Sequence, residues 1–394
     1  MLDIIETRAK IEIIFNQARH DPVLRGRLLK DVKKTLDELG ISVPENFSIN
    51  TEYVKTIEEH IAVFEASDQG INQEKEKEKL GKDGFVQFKV GTGPTEVMGS
   101  VWYRGENCNY HPRTVNFTEK EAIKNYILSG WLPEKPFITK KHVISTFGSC
   151  FAGNIDIALR KKGFTLGSPK STLDLTREAP DVVRFGEGLN NTFVLLQQFE
   201  WAYENKQFPY SLWYDSKKNM IEATEELRKK ILCFFEDADV FIITLGLSEI
   251  WYDKITGEAA WRAIPTSKFD PERHGFRVST VEENRDNLEK IYNLIRKYRK
   301  NATVIFTLSP VPLIATFRPV SCISANSVSK SILRVAVDEL MRNHENDKNL
   351  FYWPSYEIVK EGTKTAFTDD LRHIHNSVVD YIIDTFCEYY VIEE

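Results

Sequence analysis

From about Lys141 onward, short apolar runs alternate with amphipathic segments. The runs are rich in Val, Ile and Phe, as is typical of strands buried on both faces of a parallel sheet: His142–Phe147, Val240–Leu245, Thr303–Leu308 and Leu350–Trp353. Apolar residues recur at helical spacing in the segments between and after them: Ile155–Lys162, Thr192–Glu204, Ala223–Phe235, Val281–Tyr298, Ser327–Asn343 and Val378–Tyr389. The pattern predicts an α/β domain over residues 141–394, with a doubly wound parallel sheet covered by helices on both faces.

The first 140 residues carry weaker patterns. Residues 1–67 predict a small helical domain, in which Gly40 ends one helix and Pro44 prevents its continuation. Residues 68–84 contain the polar stretch EKEKEK and predict a charged linker. Residues 85–140 alternate aromatic and β-branched runs with Gly and Pro, which predicts an irregular or strand-rich lead-in.

Composition and charge argue against several classes of function. The net charge of -6 over 394 residues gives no electrostatic reason to expect a nucleic acid as partner. The five cysteines form no CxxC pair, which favours a reducing compartment and a cytoplasmic location. No apolar run approaches the ~20 residues that span a bilayer, so no membrane association is expected. His, Cys and acidic residues show no metal-ligand spacing, so neither a metal nor a cofactor is expected.

The first predicted strand ends in a glycine followed by a serine and a cysteine. Gly148 permits a sharp turn, after which Ser149 and Cys150 stand where the following helix begins. A thiol at a helix N-terminus gains thiolate character from the helix dipole and the free amides, so Cys150 is a candidate nucleophile. The alternative is that Cys150 is a small buried hydrophobic residue, which is the commoner role of a free cysteine.

Two further strand ends carry candidate groups. Gly246 follows the second strand and permits close backbone approach, and the Ser248 hydroxyl could donate to a developing oxyanion. Ser248 could equally be an ordinary helix N-cap. Near the C-terminus, Asp370 precedes His373 by three residues, so its carboxylate could orient the imidazole for general base catalysis. His375 competes with His373 for this role.

A series of short motifs extends over roughly the last 250 residues. The sequence GSCFA occupies Gly148 to Ala152. Further segments follow in order along the chain: Gly188–Phe193, Thr244–Gly246, Leu308–Pro312, Ser329–Ser331, Trp353–Glu357 and Asp370–His373. Their order and spacing resemble the GSCFA family of the SGNH/GDSL hydrolase superfamily. The resemblance implies a three-layer α/β/α fold of the SGNH hydrolase type.

The resemblance also implies roles for individual residues. Aligning the family's GSCF with the superfamily's GDSL without a gap puts Cys150 at the nucleophile position, and a shift of one residue would make Ser149 the nucleophile instead. Asp370 and His373 would complete the triad. Ser248 stands where the superfamily has an oxyanion-binding asparagine beside Gly246. Gly188 and Asn191 resemble the block that supplies a further oxyanion donor.

Two functions follow from these patterns. The first is an acyl-transfer enzyme, either an esterase, a thioesterase or an acyltransferase, acting on an acyl ester or thioester, with peptide-bound and carrier-bound substrates among the candidates. The second is a non-catalytic binding or scaffold protein that keeps the fold, for which the missing asparagine at position 248 is the main argument.

The N-terminal residues have a resemblance of their own. Asp21-Pro22, Leu28 to Asp31 and Leu39 to Pro44 resemble the nitrile-hydratase-like leader peptides of ribosomal natural products. This resemblance implies natural-product maturation enzymes as partners. A helical docking or oligomerisation module is the alternative interpretation.

Overall fold

The computed structural model describes residues 22–41, 121–167, 190–208, 222–261, 264–363 and 365–392, two short strands before residue 121, and a few isolated positions. Its strands are β1 (Gln87–Lys89), β2 (Val97–Gly99), β3 (Val143–Gly148), β4 (Thr165–Leu166), β5 (Val240–Leu245), β6 (Glu249–Asp253), β7 (His274–Val278), β8 (Thr303–Leu308) and β9 (Leu350–Trp353). Its α-helices are α1 (Pro22–Lys30), α2 (Val32–Glu38), α3 (Cys150–Lys161), α4 (Thr192–Glu204), α5 (Glu225–Glu236), α6 (Val281–Tyr298), α7 (Cys322–Asn343), α8 (Ser355–Gly362) and α9 (Asn376–Tyr390). A π-helical turn covers Lys124–Leu128.

The central sheet has five parallel strands in the order β4-β3-β5-β8-β9. The register aligns their carboxyl ends, with Gly148 opposite Thr244, Thr244 opposite Thr307, and Thr307 opposite Trp353. After β3, the chain adds β4 on one side of β3 and then crosses to add β5 on its other side, followed by β8 and β9. The strand order therefore reverses between β3 and β5, and in open α/β sheets ligands bind beyond the carboxyl ends at this switch point.

Side chains of the central strands alternate between two hydrophobic cores. Phe241 and Ile243 of β5 face a core that includes residues of α4, α5, α6 and α7. Val240 and Ile242 face the other core, with residues of α3, α8 and α9. The predicted doubly wound parallel sheet with helices on both faces is therefore confirmed.

The four predicted strands are all present, each within one residue of its predicted bounds. The sequence pattern missed β4, because two residues carry no periodicity, and it missed the antiparallel hairpin of β6 and β7. It also placed the first helix of the domain five residues too late. Helix α3 begins at Cys150 because the Ser149 side chain caps it.

Two short helices lie in the N-terminal part of the chain. Helix α2 ends at the C-cap Leu39, and Gly40 follows with a φ of +77°, which confirms the predicted stop. The backbone N–H of Ile41 donates to the Leu36 carbonyl at 2.8 Å and completes this helix end. Residues 68–84, predicted as a linker, lie outside the described residues, as does most of residues 1–21 and 42–67.

Candidate active site

The turn after β3 depends on the absence of a side chain at Gly148. Its φ is +114°, and a Cβ atom there would lie 2.0 Å from the carbonyl oxygen of Thr244 in β5. Only glycine fits this approach. The close contact fixes the path of the chain from β3 into α3, directly at the switch point of the sheet.

Ser149 and Cys150 have different environments at the start of α3. Ser149 is 3% exposed, and its hydroxyl accepts a hydrogen bond from the backbone N–H of Phe151 at 3.2 Å, so it caps the helix. Cys150 is the first residue of the helix and its side chain is exposed. The interpretation of Cys150 as a buried hydrophobic residue is therefore wrong. The thiol stands at the helix end where the peptide dipoles favour an anion.

Asp370 and His373 form a pair in the loop before α9. One carboxylate oxygen of Asp370 accepts hydrogen bonds from the backbone N–H groups of Arg372 and His373, both at 2.9 Å, and from the Thr368 hydroxyl at 2.7 Å. The other oxygen contacts Nδ1 of His373. The pKa of Asp370 lies well below its usual range. The largest cause is the hydrogen bond from the His373 side chain, and the other donors contribute less. Because a carboxylate only accepts, Nδ1 carries the proton and Nε2 is left for proton transfer.

Helix α9 ends at the amino edge of the sheet. The carbonyl of Tyr390, its last residue, accepts hydrogen bonds from the N–H groups of Phe137 at 2.9 Å and Ile138 at 2.8 Å, in the segment that leads into β3. Lys162, just after α3, forms an ion pair with Asp384 in the second half of α9. Both helices therefore run from the carboxyl edge of the sheet to the amino edge.

This shared direction brings two predicted groups to one edge. Cys150 opens α3, and His373 lies three residues before α9 opens at Asn376. The two helices pack in the same core, where Phe151 and Ile155 lie together with Val378 and Ile382. The approach of His373 Nε2 to the Cys150 thiol stays a prediction. The preference for His373 over His375 also stays a prediction. The backbone N–H of His375 donates to the Ala366 carbonyl at 3.0 Å.

The predicted oxyanion-binding residue Gly246 follows β5 and contacts Asn190, the neighbour of Asn191. The Gly246 N–H donates to the Asn190 carbonyl at 2.7 Å, and a Cβ at Gly246 would lie 2.3 Å from the side-chain nitrogen of Asn190. Asn191 caps α4, because its side-chain oxygen accepts from the Val194 N–H at 2.9 Å. Gly188 lies outside the described residues. Asn190, which the sequence did not single out from Asn191, is thus the asparagine whose amide packs on Gly246.

Ser248 is completely buried in the loop between β5 and β6. Its N–H donates to the Ser329 hydroxyl at 2.8 Å, and its carbonyl accepts from the N–H and hydroxyl of Ser279, both at 2.8 Å. Its own hydroxyl oxygen has no hydrogen-bond partner among the described residues. The N-cap alternative is wrong because Ser248 precedes a strand, not a helix.

Two polar groups beside this loop had no role assigned from the sequence. Lys330 of α7 is 2% exposed and donates three hydrogen bonds to backbone carbonyls. Glu249 is 7% exposed, and the Thr316 hydroxyl lies 2.9 Å from both of its carboxylate oxygens. Burial raises the pKa of Glu249. A lysine in a polar helical segment normally predicts a solvated face. The only sequence signal for Lys330 was that Ser329–Ser331 is one of the segments that resemble the family.

In the part of the chain that the structure describes, no three His, Cys, Asp or Glu side chains come together in an arrangement that could bind a metal ion. Within the same residues, no helix has the length and apolar character needed to cross a membrane.

In comparison with known proteins, residues 143–386 match the family described as the GSCFA family. Curated proteins give no match. Among solved structures, the chain is similar to a lipopolysaccharide acetyltransferase periplasmic domain from Salmonella ser. Paratyphi A, with 12% identity, a TM-score of 0.31, and coverage of 63% of this chain and 83% of that one. It is also similar to an acetyl xylan esterase from the rumen bacterium Butyrivibrio proteoclasticus, with 11% identity, a TM-score of 0.31, and coverage of 63% of each chain.

Proposed function

Because the chain belongs to the GSCFA family, and because the cysteine of its motif opens α3 at the switch point of the sheet, we propose that it is an acyl-transfer enzyme with a Cys/His/Asp site. The observation that carries this proposal is the position of the exposed Cys150 thiol. It stands at the same sheet edge as the His373 imidazole, which is already paired with a carboxylate. This arrangement matches the general requirement for a nucleophile, a base and a group that orients the base.

In the proposed acylation step, His373 Nε2 takes the proton from the Cys150 thiol while Nδ1–H stays hydrogen-bonded to Asp370. The sulfur attacks the acyl carbonyl carbon, an S–C bond forms, and the carbonyl π electrons move onto oxygen. When the C=O bond re-forms, the bond to the alcohol or thiol leaving group breaks. The leaving group takes the proton from the His373 imidazolium.

Deacylation repeats these steps in reverse with a second nucleophile. Water, a hydroxyl or an amine loses its proton to His373 and attacks the thioester on Cys150, and the thiol returns as the leaving group. With water the enzyme is an esterase or thioesterase, and with another acceptor it is an acyltransferase. A thioester intermediate is reactive enough toward amines and hydroxyls to support transfer as well as hydrolysis.

Several donors are suited to stabilise the tetrahedral intermediate. We assign this role to the backbone amides near Cys150 and to the side-chain NH2 group of Asn190, which lies beside Gly246 at the end of β5. The Ser248 hydroxyl and the region of Gly188 and Asn191 are further candidates. Donors fixed in a buried loop need no reorganisation when charge develops on the oxyanion.

The substrate we propose is an acyl ester or thioester attached to a peptide or a carrier. The resemblance of residues 1–67 to leader peptides supports this class, because leader peptides are sites at which maturation enzymes dock. Natural-product maturation enzymes are the corresponding proposed partners, and a leader-like scaffold without chemistry is the competing function.

The proposal is tested with p-nitrophenyl esters and N-acetylcysteamine thioesters of acetyl to octanoyl groups. We expect turnover by the native chain, loss of turnover in Cys150→Ala, and a fall of about 100-fold or more in His373→Gln, since a positioned general base contributes about that factor. Cys233→Ala, which removes a thiol in α5, is the matched control and should retain activity.

Two results would contradict the proposal. Activity that survives Cys150→Ala and is lost in Ser149→Ala would make Ser149 the nucleophile. A folded native chain that turns over no member of the panel, with or without an added amine or alcohol acceptor, would favour the scaffold function.

A further inference from the structure

The Lys330 ammonium lies among the carboxyl ends of two neighbouring strands. Its Nζ atom is 2.7 Å from the carbonyl oxygen of Gly246, 2.7 Å from that of Ser309 and 2.9 Å from that of Val311. Gly246 follows β5, and the other two follow β8. An ammonium group has three N–H donors, so these carbonyls use all of them.

The carbonyls of Gly246, Ser309 and Val311 converge on one buried side chain, which supplies a hydrogen bond to each of them. Three carbonyl dipoles that point at one place repel each other, and a cation between them removes the repulsion. Burial lowers the pKa of Lys330 to about 7, while the carbonyl oxygens act in the opposite direction by stabilising the charged form.

Ser329, the residue before Lys330 in α7, binds the other end of the loop Gly246–Ser248. The Ser329 hydroxyl accepts from the Ser248 N–H at 2.8 Å, so adjacent side chains of one helix fix the Gly246 carbonyl and the Ser248 amide. The amide between them is that of Leu247. Since Lys330 binds the carbonyl of the same peptide group, it polarises the Leu247 N–H and makes it a stronger donor.

We propose that Lys330 is a positioning residue of the acyl-transfer site, which holds the Gly246–Ser248 loop so that its backbone can receive the oxyanion. This inference rests on the proposed function and deepens it. In this chain, a fixed and polarised loop would supply the stabilisation that the superfamily obtains from an asparagine at position 248. Lys330 itself does not touch the reacting atoms.

The test compares two reactions of Cys150 in the full chain. Acylation by p-nitrophenyl acetate passes through an oxyanion, whereas alkylation by iodoacetamide is a direct displacement at carbon and develops none. In Lys330→Met, which has similar length and no charge, we expect the acylation rate constant to fall about 100-fold, as for a displaced catalytic group. The alkylation rate constant should stay the same.

A second variant and a control keep the test decisive. Lys330→Gln retains two N–H donors, so its acylation should fall by a smaller factor, and it decides the question if Lys330→Met does not fold. Leu333→Ala opens a cavity one turn further along α7, at a completely buried position, and should keep the native acylation rate. Equal acylation rates in the native chain and both Lys330 variants would overturn the proposal.

Two other outcomes would also overturn it. If the Lys330 variants lose acylation and alkylation together, or if Leu333→Ala loses acylation equally, Lys330 only supports the fold. A native chain that alkylates at Cys150 but is never acylated there refutes the proposed function, and the role of Lys330 falls with it. This last result is recognisable because it appears without any substitution.

Discussion

Replacing Gly148 by alanine tests whether the turn after β3 is as tightly constrained as the structure indicates. At a φ of +114° an alanine is strained, which costs about 1–3 kcal/mol. The Cβ would also lie 2.0 Å from the Thr244 carbonyl oxygen, and backbone shifts that relieve such overpacking cost typically about 1–3 kcal/mol more. Together these effects should lower the free energy of unfolding by about 2–6 kcal/mol, a large part of the stability of an ordinary domain.

Gly163 provides the matched control for this substitution. It also has a positive φ, of +84°, but no atom lies within 4 Å of the place where a Cβ would stand. Gly163→Ala should therefore cost only the strain of the left-handed backbone, about 1–2 kcal/mol. Urea unfolding followed by circular dichroism measures both variants, and acylation of Cys150 should be lost only in Gly148→Ala. Equal destabilisation of the two variants would refute the close approach of β3 and β5 at this turn.

Four further predictions concern the site and the domain boundary. Ser149→Ala should lower the free energy of unfolding by about 0.5–2 kcal/mol through loss of the helix cap while Cys150 remains acylable, and loss of acylation would instead favour Ser149 as nucleophile. Asp370→Asn should lower the acylation rate by up to about 10⁴-fold through the wrong histidine tautomer. Because the pKa of Asp370 is lowered, stabilisation by its contact with His373 is complete above the ordinary carboxyl pKa and is lost as the pH falls through the lowered one. Carboxyl ¹³C NMR should show that low midpoint, and an ordinary midpoint would contradict the pairing. Limited proteolysis should cut within residues 68–84 and leave a folded C-terminal fragment, whereas a resistant segment would mean that the two parts share one core.

The sequence predicted the central sheet well because its strands are buried on both faces. Every residue of a run such as Val240–Leu245 is buried, and Thr244 is its only polar residue, so the pattern survives in the sequence alone. The two residues of β4 are too few for a periodicity. In β6, Trp251 and Tyr252 pair with residues of β7 that lie more than 20 positions further along the chain. Their pairing depends on tertiary contacts that no local pattern records.

For the site, sequence spacing identified the contact between Asp370 and His373, because three residues suffice to bring these side chains together in a loop. It favoured Cys150 over Ser149 as the nucleophile but left Ser149 as an alternative, because the sequence does not record which of the two side chains caps α3. The contacts of Lys330 could not be predicted from the sequence either. Its three carbonyl partners come from two different strand ends, and backbone atoms leave no signature in the sequence.

The most direct test of the Cys/His/Asp site is to locate the acyl group on the enzyme. The native chain is mixed with p-nitrophenyl hexanoate, quenched in acid within the burst of nitrophenolate release, and digested for peptide mass mapping. Our account predicts a single hexanoyl adduct on Cys150, removed by neutral hydroxylamine and slow to form in His373→Gln. An adduct on Ser149 or on another cysteine, or no adduct on a folded chain, would contradict it.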